Sequence, residues 1–174
     1  MSTLHIFDFD DTLVRSDSMI RITHPMGDKE TLSSEEYATY VPSGDEIFDF
    51  SDFDSYPANP RIIDEVFAEL RAAIALDGAE SVVILTARSN PTPVRQFLKD
   101  NNISGVHVEA VGTANPMDKA SYVPSRVKNE DFDEVRVFED NVKNIRTIRK
   151  VMDDTGVKLQ TNRVTKSGLQ KSRR

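Results

Sequence analysis

The chain contains no cysteine, which excludes disulfides, thiolate metal sites and a cysteine nucleophile and leaves no mark of an oxidising compartment. It also lacks any stretch of about eighteen consecutive apolar residues, so neither a membrane span nor a signal peptide is expected. Internal repeats and low-complexity blocks are absent too. Positive charge is scarce: 22 Lys and Arg face 29 Asp and Glu, for a net charge of −7. That balance argues against broad or stable nucleic-acid binding. The deficit is uneven, because from Gly156 onward there are six basic residues and no acidic ones. Residues 166–174 read as a solvated, mobile tail, with a weak tether to phosphate backbones as the alternative. A reducing cytoplasm is the expected location.

What is present suits one domain. With 174 residues, 38% of them apolar, the chain can bury a sizeable core, and residues 1–165 are expected to form it. Apolar runs alternate with helical periodicity. The run Leu4 to Phe9 reads as the first strand. Asn59-Pro60 opens a helix through capping chemistry, continued by Ile62, Ile63, Val66, Phe67, Leu70, Ala73 and Ile74 and stopped by Gly78. Ser81 to Thr86 is a second strand, and Val94, Phe97 and Leu98 line a short helix that ends near Asn101-Asn102. Val106, Val108 and Ala110 alternate in a third strand, and Val135 to Glu139 form a fourth. Val142, Ile145, Ile148, Val151 and Met152 face one side of a helix closed by Gly156, and Val157 to Val164 supply a last strand. This rhythm predicts an α/β fold, a doubly wound, Rossmann-like parallel sheet whose ligands bind outside the carboxyl ends of the strands. Residues 15–59 break it. They are polar, with an alternating stretch Ile47 to Phe53, and read either as an insert whose aromatics pack on the domain or as a flap over the site.

The segment Leu4-His5-Ile6-Phe7-Asp8-Phe9-Asp10-Asp11-Thr12-Leu13 carries the most chemistry. Two carboxylates about 4 Å apart repel by roughly 4 kcal/mol at an effective dielectric of 20, so a fold that gathers them needs a cation. Magnesium, which takes hard oxygen ligands and shares them with phosphate, is the natural candidate. Turn formation and capping account for Asp10, Asp11 or Thr12. They do not account for Asp8, which interrupts a buried-type run between Phe7 and Phe9. A parallel sheet would bring Asp8, Asp10, Thr86 and Glu139-Asp140 to one rim. Lys119 would start a short helix that Pro124 breaks. Taken singly, Thr86 and Asp140 also read as caps and Lys119 as a surface amine.

In their order, these motifs resemble the haloacid dehalogenase (HAD) superfamily. Its first motif is an apolar strand followed by Asp-x-Asp-x-Thr, matched by Phe7 to Leu13. Val82-Val83-Ile84-Leu85-Thr86 matches the second, Lys119 (with Lys128 as fallback) the third, and Val137-Phe138-Glu139-Asp140 the fourth. The resemblance implies a magnesium-dependent phosphatase. Asp8 would be the nucleophile, forming an aspartyl-phosphate, and Asp10 would protonate the leaving oxygen and then activate water. Thr86, with backbone N–H groups near Asp10, Asp11 and Thr12, would hold the phosphoryl oxygens, and Lys119 would offset charge. Magnesium would be held by Asp8, Asp140 and the main-chain carbonyl of Asp10.

Two features depart from that pattern. Asn144 stands where many members carry a further acid, and the insert of about 45 residues is short for a helical cap domain, which implies a capless or minimally capped site. The chain is similar to the small HAD phosphatases encoded by large phages, which would place it in a host cytoplasm. A more distant likeness is to the phosphatase half of polynucleotide kinase-phosphatases, in which light Arg88 could contact substrate phosphate. The substrate class stays open between small phosphorylated metabolites or nucleotides and the 3′-phosphate of nucleic-acid ends. A phosphate-accepting signalling module is the rival from another class. Receiver domains, however, place the acidic pair first and the phosphorylated Asp on a later strand, the reverse of the order here. His5 and His107 read as packed or edge residues.

Overall fold

The computed structural model describes residues 2–173, with side chains described through residue 171. Its centre is a six-stranded, mostly parallel sheet with helices on both faces, a Rossmann-like arrangement. Strand β1 (Thr3–Phe7) leads into a tight turn. The insert follows, with β2 (Val14–Arg15), β3 (Met19–Thr23), β4 (Lys29–Ser33), α1 (Ser34–Ala38), β5 (Ile47–Asp49) and β6 (Arg61–Ile62). The remainder alternates: α2 (Asp64–Asp77), β7 (Val82–Thr86), α3 (Thr92–Asp100), β8 (His107–Ala110), α4 (Pro116–Glu130), β9 (Glu134–Glu139), α5 (Val142–Met152) and β10 (Lys158–Thr165). An edge strand, β11 (Gly168–Arg173), completes it. The sheet order is β11-β10-β9-β1-β7-β8.

Side-chain alternation along the strands builds two cores, one on each face. Phe7, Val82 and Ile84 pack with α2 and α3 through Phe67, Leu70, Val94 and Phe97. Leu4, Ile6, Val83, Leu85, Val135 and Val137 pack with α4 and α5 through Ala120, Val123, Ile148 and Met152. Central strands buried on both faces read as continuous apolar runs, as β7 does. Burying each such Leu, Ile, Val or Phe is worth roughly 1.5–3 kcal/mol, so most of the stabilising apolar burial lies on the two faces of the sheet. Among the described residues no helix is long and apolar enough to cross a membrane.

Three expectations change. The basic tail is not a free arm: residues 168–173 pair antiparallel with β10, and Leu169 packs against one core. Two of its cations face acids, Lys166 at 3.2 Å from Glu35 and Lys171 at 3.8 Å from Glu69. The helix expected from Asn59-Pro60 begins only at Asp64, because Arg61 and Ile62 pair with Arg15 and Val14 across the neck of the insert. Pro124 does not break its helix. Helix α4 runs through it, held by the burial of Ala120, Val123 and Val127, an instance of tertiary packing outweighing a lost helical hydrogen bond.

The insert is a small folded layer. Strands β4, β3 and β5 form an antiparallel sheet, and α1 follows β4 through a capping box made by Ser33 and Glu36. Tyr37 lies edge-on to Phe48 and Phe50, and Phe48 stacks with Phe50 at 6.0 Å.

Candidate functional site

The register of β1 between its neighbours fixes the geometry of the rim. Phe7 lies opposite Phe138 of β9 and Ile84 of β7, and Asp8 extends the ladder by donating its N–H to Phe138 O at 2.9 Å. The residues just beyond these three strands therefore emerge together. After β1 the chain turns sharply, with Asp11 in the left-handed region (φ 62°). Leu13 and Asp11 close the turn by donating to Phe9 O and Val14 O at 2.9 and 2.8 Å. Phe9 and Leu13 anchor it in the core, and Thr12 is directed back toward Asp8.

Asp8 is held on both sides. The Lys119 ammonium donates to its Oδ1 at 2.6 Å and the Thr12 hydroxyl lies 3.0 Å from its Oδ2. Thr12 Oγ1 is also 3.2 Å from Asp140 Oδ1, so one hydroxyl proton is shared between two acids. Lys119 reaches Glu139 Oε2 at 3.3 Å, and Asn144 donates to the other Glu139 oxygen at 2.5 Å. The carboxylates of Asp8, Glu139 and Asp140 each place an oxygen within 4.8 Å of the others. Three acids with one cation leave an excess of negative charge in a buried place, and the titration shifts reflect it. Burial is the largest influence on Asp8 and opposes its ionisation, yet the Lys119 charge and the hydrogen bonds that Asp8 makes with its neighbours together outweigh burial and hold its pKa below the ordinary value. Burial followed by repulsion from Asp8 pushes Glu139 up to about 8. Burial, Asp8 and Glu139 hold Asp140 well above the usual carboxylate range. Burial alone would lower Lys119, but Asp8 and Glu139 more than reverse it. Two hard carboxylates that resist ionisation beside a third, already ionised one, form a donor set that fits a divalent cation.

Each expected residue can now be located. Lys119, in the first turn of α4, is the lysine that reaches the rim, whereas Lys128 lies exposed farther along that helix. Asp140 does not cap α5. Asn141 does so, its side chain accepting from the Lys143 N–H, which leaves Asp140 to the cluster. Thr86 stands at the end of β7, with its hydroxyl accepting the Arg88 N–H at 3.1 Å. Thr12 is fully buried as the bridge between acids. The Asp11 N–H is spent inside the turn, and its carboxylate accepts from the Ser34 hydroxyl of the insert. Burial raises the pKa of Asp11, and the bond from Ser34 works against that rise.

Two residues have partners that the sequence did not point to. The carboxylate of Asp10, of which only a main-chain contact to the metal was expected, lies outside the cluster of Asp8, Glu139 and Asp140. Both Asp10 oxygens instead accept from Arg88, from Nε and Nη2, each at 2.9 Å. Arg88, with a side chain 1% exposed, is engaged inward rather than offered to a ligand. Its Nη1 donates to Phe53 O and Ser55 O of the insert at 3.0 and 2.8 Å, and its guanidinium lies over the rings of Phe9 and Phe53. One buried guanidinium thus fastens Asp10 and the insert together. The adjacency of Glu139 to Asp140 was the available signal for its place in the cluster. Nothing local marks the carbonyls of Phe53 and Ser55, because backbone acceptors have no sequence signature.

The cluster opens into a cleft of about 510 Å³. Asp8, Asp10, Lys119, Glu139 and Asp140 line it together with Tyr37, Tyr40, Phe50 and Phe53 of the insert and Lys143 at the start of α5. The position therefore combines a buried, negatively charged floor with an aromatic wall, at the carboxyl ends of parallel strands where α/β folds bind ligands. Comparison of the chain with family models, with curated proteins and with solved structures finds no match in any of the three.

Proposed function

We propose that this protein is a phosphomonoester hydrolase of the HAD type that works through Asp8. The observation that carries the reading is the position of Asp8: a carboxylate at a strand end, gripped by Lys119 at 2.6 Å, in a cluster of acids that opens on a cleft. A structural ion pair would need one acid; here the amine meets two, Asp8 and Glu139, and a third, Asp140, lies beside them. A magnesium ion held by Asp8, Glu139 and Asp140 would offset negative charge on the phosphoryl group.

The chain's own groups divide the remaining work. Asp8 attacks phosphorus, forming an acyl phosphate as the bond to the ester oxygen breaks and the alcohol departs with a proton. Water then attacks that phosphorus and regenerates Asp8 and inorganic phosphate. Lys119 neutralises charge shared between Asp8 and the phosphoryl oxygens, an electrostatic contribution of the kind that dominates phosphoryl transfer. Asp10, oriented by Arg88, is the proton carrier, giving a proton to the alcohol and taking one from water. Asn144 holds Glu139 rather than supplying a charge of its own.

The test is steady turnover of p-nitrophenyl phosphate by the full chain with magnesium. Turnover should stop with a chelator and fall more than about 1,000-fold in Asp8→Asn, the scale on which removal of a nucleophile acts. A phosphorylated protein that accumulates without turnover would instead assign the site to a signalling module. Undiminished turnover in Asp8→Asn would end the proposal.

A further inference from the structure

We infer that the insert supplies a ring-binding subsite and that the preferred esters are nucleoside monophosphates, with the base packed on Phe50 and Tyr37 while the phosphate lies at Asp8. The inference rests on the phosphatase reading and adds the identity of the alcohol to it.

Four observations converge on it. The first is size: about 510 Å³ lies within the range of sites that enclose a whole drug-sized ligand, far beyond what a phosphate group fills. The second is continuity, because the aromatic side chains and the acids line one and the same cleft. The third is exposure. Phe50 is 42% exposed although it stacks on Phe48 and meets Tyr37 edge-on at 5.4 Å. An aromatic ring already ordered by two neighbours, yet still open to the cleft, is a platform for another ring. Rings pair in such offset and edge geometries with a gain beyond simple burial.

The fourth is that the wall is fixed relative to the reacting carboxylate. Ser34, at the start of the helix that carries Tyr37, is bonded to Asp11. Arg88 joins Asp10 to the carbonyls of Phe53 and Ser55, just beyond Phe50. A platform tied at both ends to the residues flanking Asp8 holds a constant distance between ring and phosphate, and preorganisation of that kind is what converts apolar contact into selectivity. A monophosphate suits this cleft better than a long strand does, since the surface is acidic overall and the basic tail is folded into the sheet edge.

The test compares kcat/KM, with magnesium, for adenosine 5′- and 3′-monophosphate against glucose 6-phosphate and glycerol 2-phosphate. The nucleotides should lead by about tenfold or more, the scale of base stacking on an aromatic side chain. Phe50→Leu, which keeps an apolar side chain but removes the ring, should cut that ratio about tenfold, and Tyr37→Leu should cut it in the same direction. A ratio near one, or one that Phe50→Leu leaves unchanged, overturns the inference while leaving the phosphatase reading intact. Preference by more than about tenfold for a 3′-phosphorylated oligonucleotide over the monophosphates would overturn the assignment to a single nucleotide. If no ester is turned over, calorimetric binding of the same four compounds decides. Preference for the nucleotides that Phe50→Leu abolishes upholds the subsite although the hydrolase reading falls; equal binding rejects both.

Discussion

The strand-end rim and the insert meet across one cleft but are held by different physics. The rim is part of a sheet with a core on each face, so Asp8, Glu139 and Asp140 are placed by strand register and kept there by buried Phe, Ile and Val side chains. The insert has few core residues of its own, chiefly Ile20 and Ile22, and depends on local aromatic pairs and on particular polar ties to the rim. A parallel α/β sheet can therefore hold mutually repelling charges at fixed separation, while the insert that walls the cleft is held by a few particular contacts. The lesson is that Arg88, the link between the two, matters to both.

The largest expected effect tests the rim. Lys119→Met removes the one ammonium from a buried group of three acids and should destabilise the protein by about 3–5 kcal/mol, the usual consequence of breaking a buried ion pair. Urea unfolding with a chelator present would measure it. The loss should shrink between pH 9 and pH 6 as Glu139 takes up a proton, and a loss independent of pH would mean that the cluster is not electrostatically strained.

A smaller effect tests the link. Arg88→Lys keeps the charge but cannot reproduce the planar, doubly donating grip on Asp10 or reach both insert carbonyls. Turnover of alkyl phosphates should fall about 100-fold, the lower range of general acid–base contributions. p-Nitrophenyl phosphate, whose leaving group needs no proton, should suffer less. Protease should also cut the insert near its exposed loop at residues 41–45 sooner than in the wild type. Equal loss with both substrates, and no change in cleavage, would separate the insert from Asp10.

The smallest effect sets the two regions against each other by pH. Glu139 is raised to about 8 by burial and then by Asp8. Its contribution, with no metal added, is fully present below the ordinary carboxylate range and is lost as pH climbs through 8. Glu46 is lowered to about 2, first by the bond from the Tyr40 hydroxyl and then by backbone donation from Ser43. Its contribution is present above the ordinary range and is lost as pH falls toward 2. Proteolysis of the insert should therefore accelerate toward acid pH, whereas global stability in chelator should decline toward alkaline pH. Glu139→Gln should flatten only the second trend. Parallel trends in both regions would contradict the division drawn here.

Much of this was readable in the sequence. Five strands of the six-stranded sheet were legible because each is largely an apolar run bounded by capping or turn residues, as in Val82 to Thr86. Asp8 was legible because a charge between Phe7 and Phe9 has no cheap place except at a strand end. Lys119 and Asp140 followed from chain order. The partner of Asp10 was not legible, because a salt bridge to Arg88 spans 78 positions and leaves no local pattern. The edge strand at 168–173 was hidden by its polar composition, which suits a sheet edge and a free tail equally well.

By itself, the sequence determined the alternation of strands and helices and the rim on which the chemistry collects, since hydrophobic period and parallel order are local and cumulative properties. Tertiary structure alone decided that Arg88 turns inward to Asp10 and that an aromatic insert faces Asp8. Those outcomes depend on which distant side chains come within a few ångströms of one another, and that is settled by packing in three dimensions.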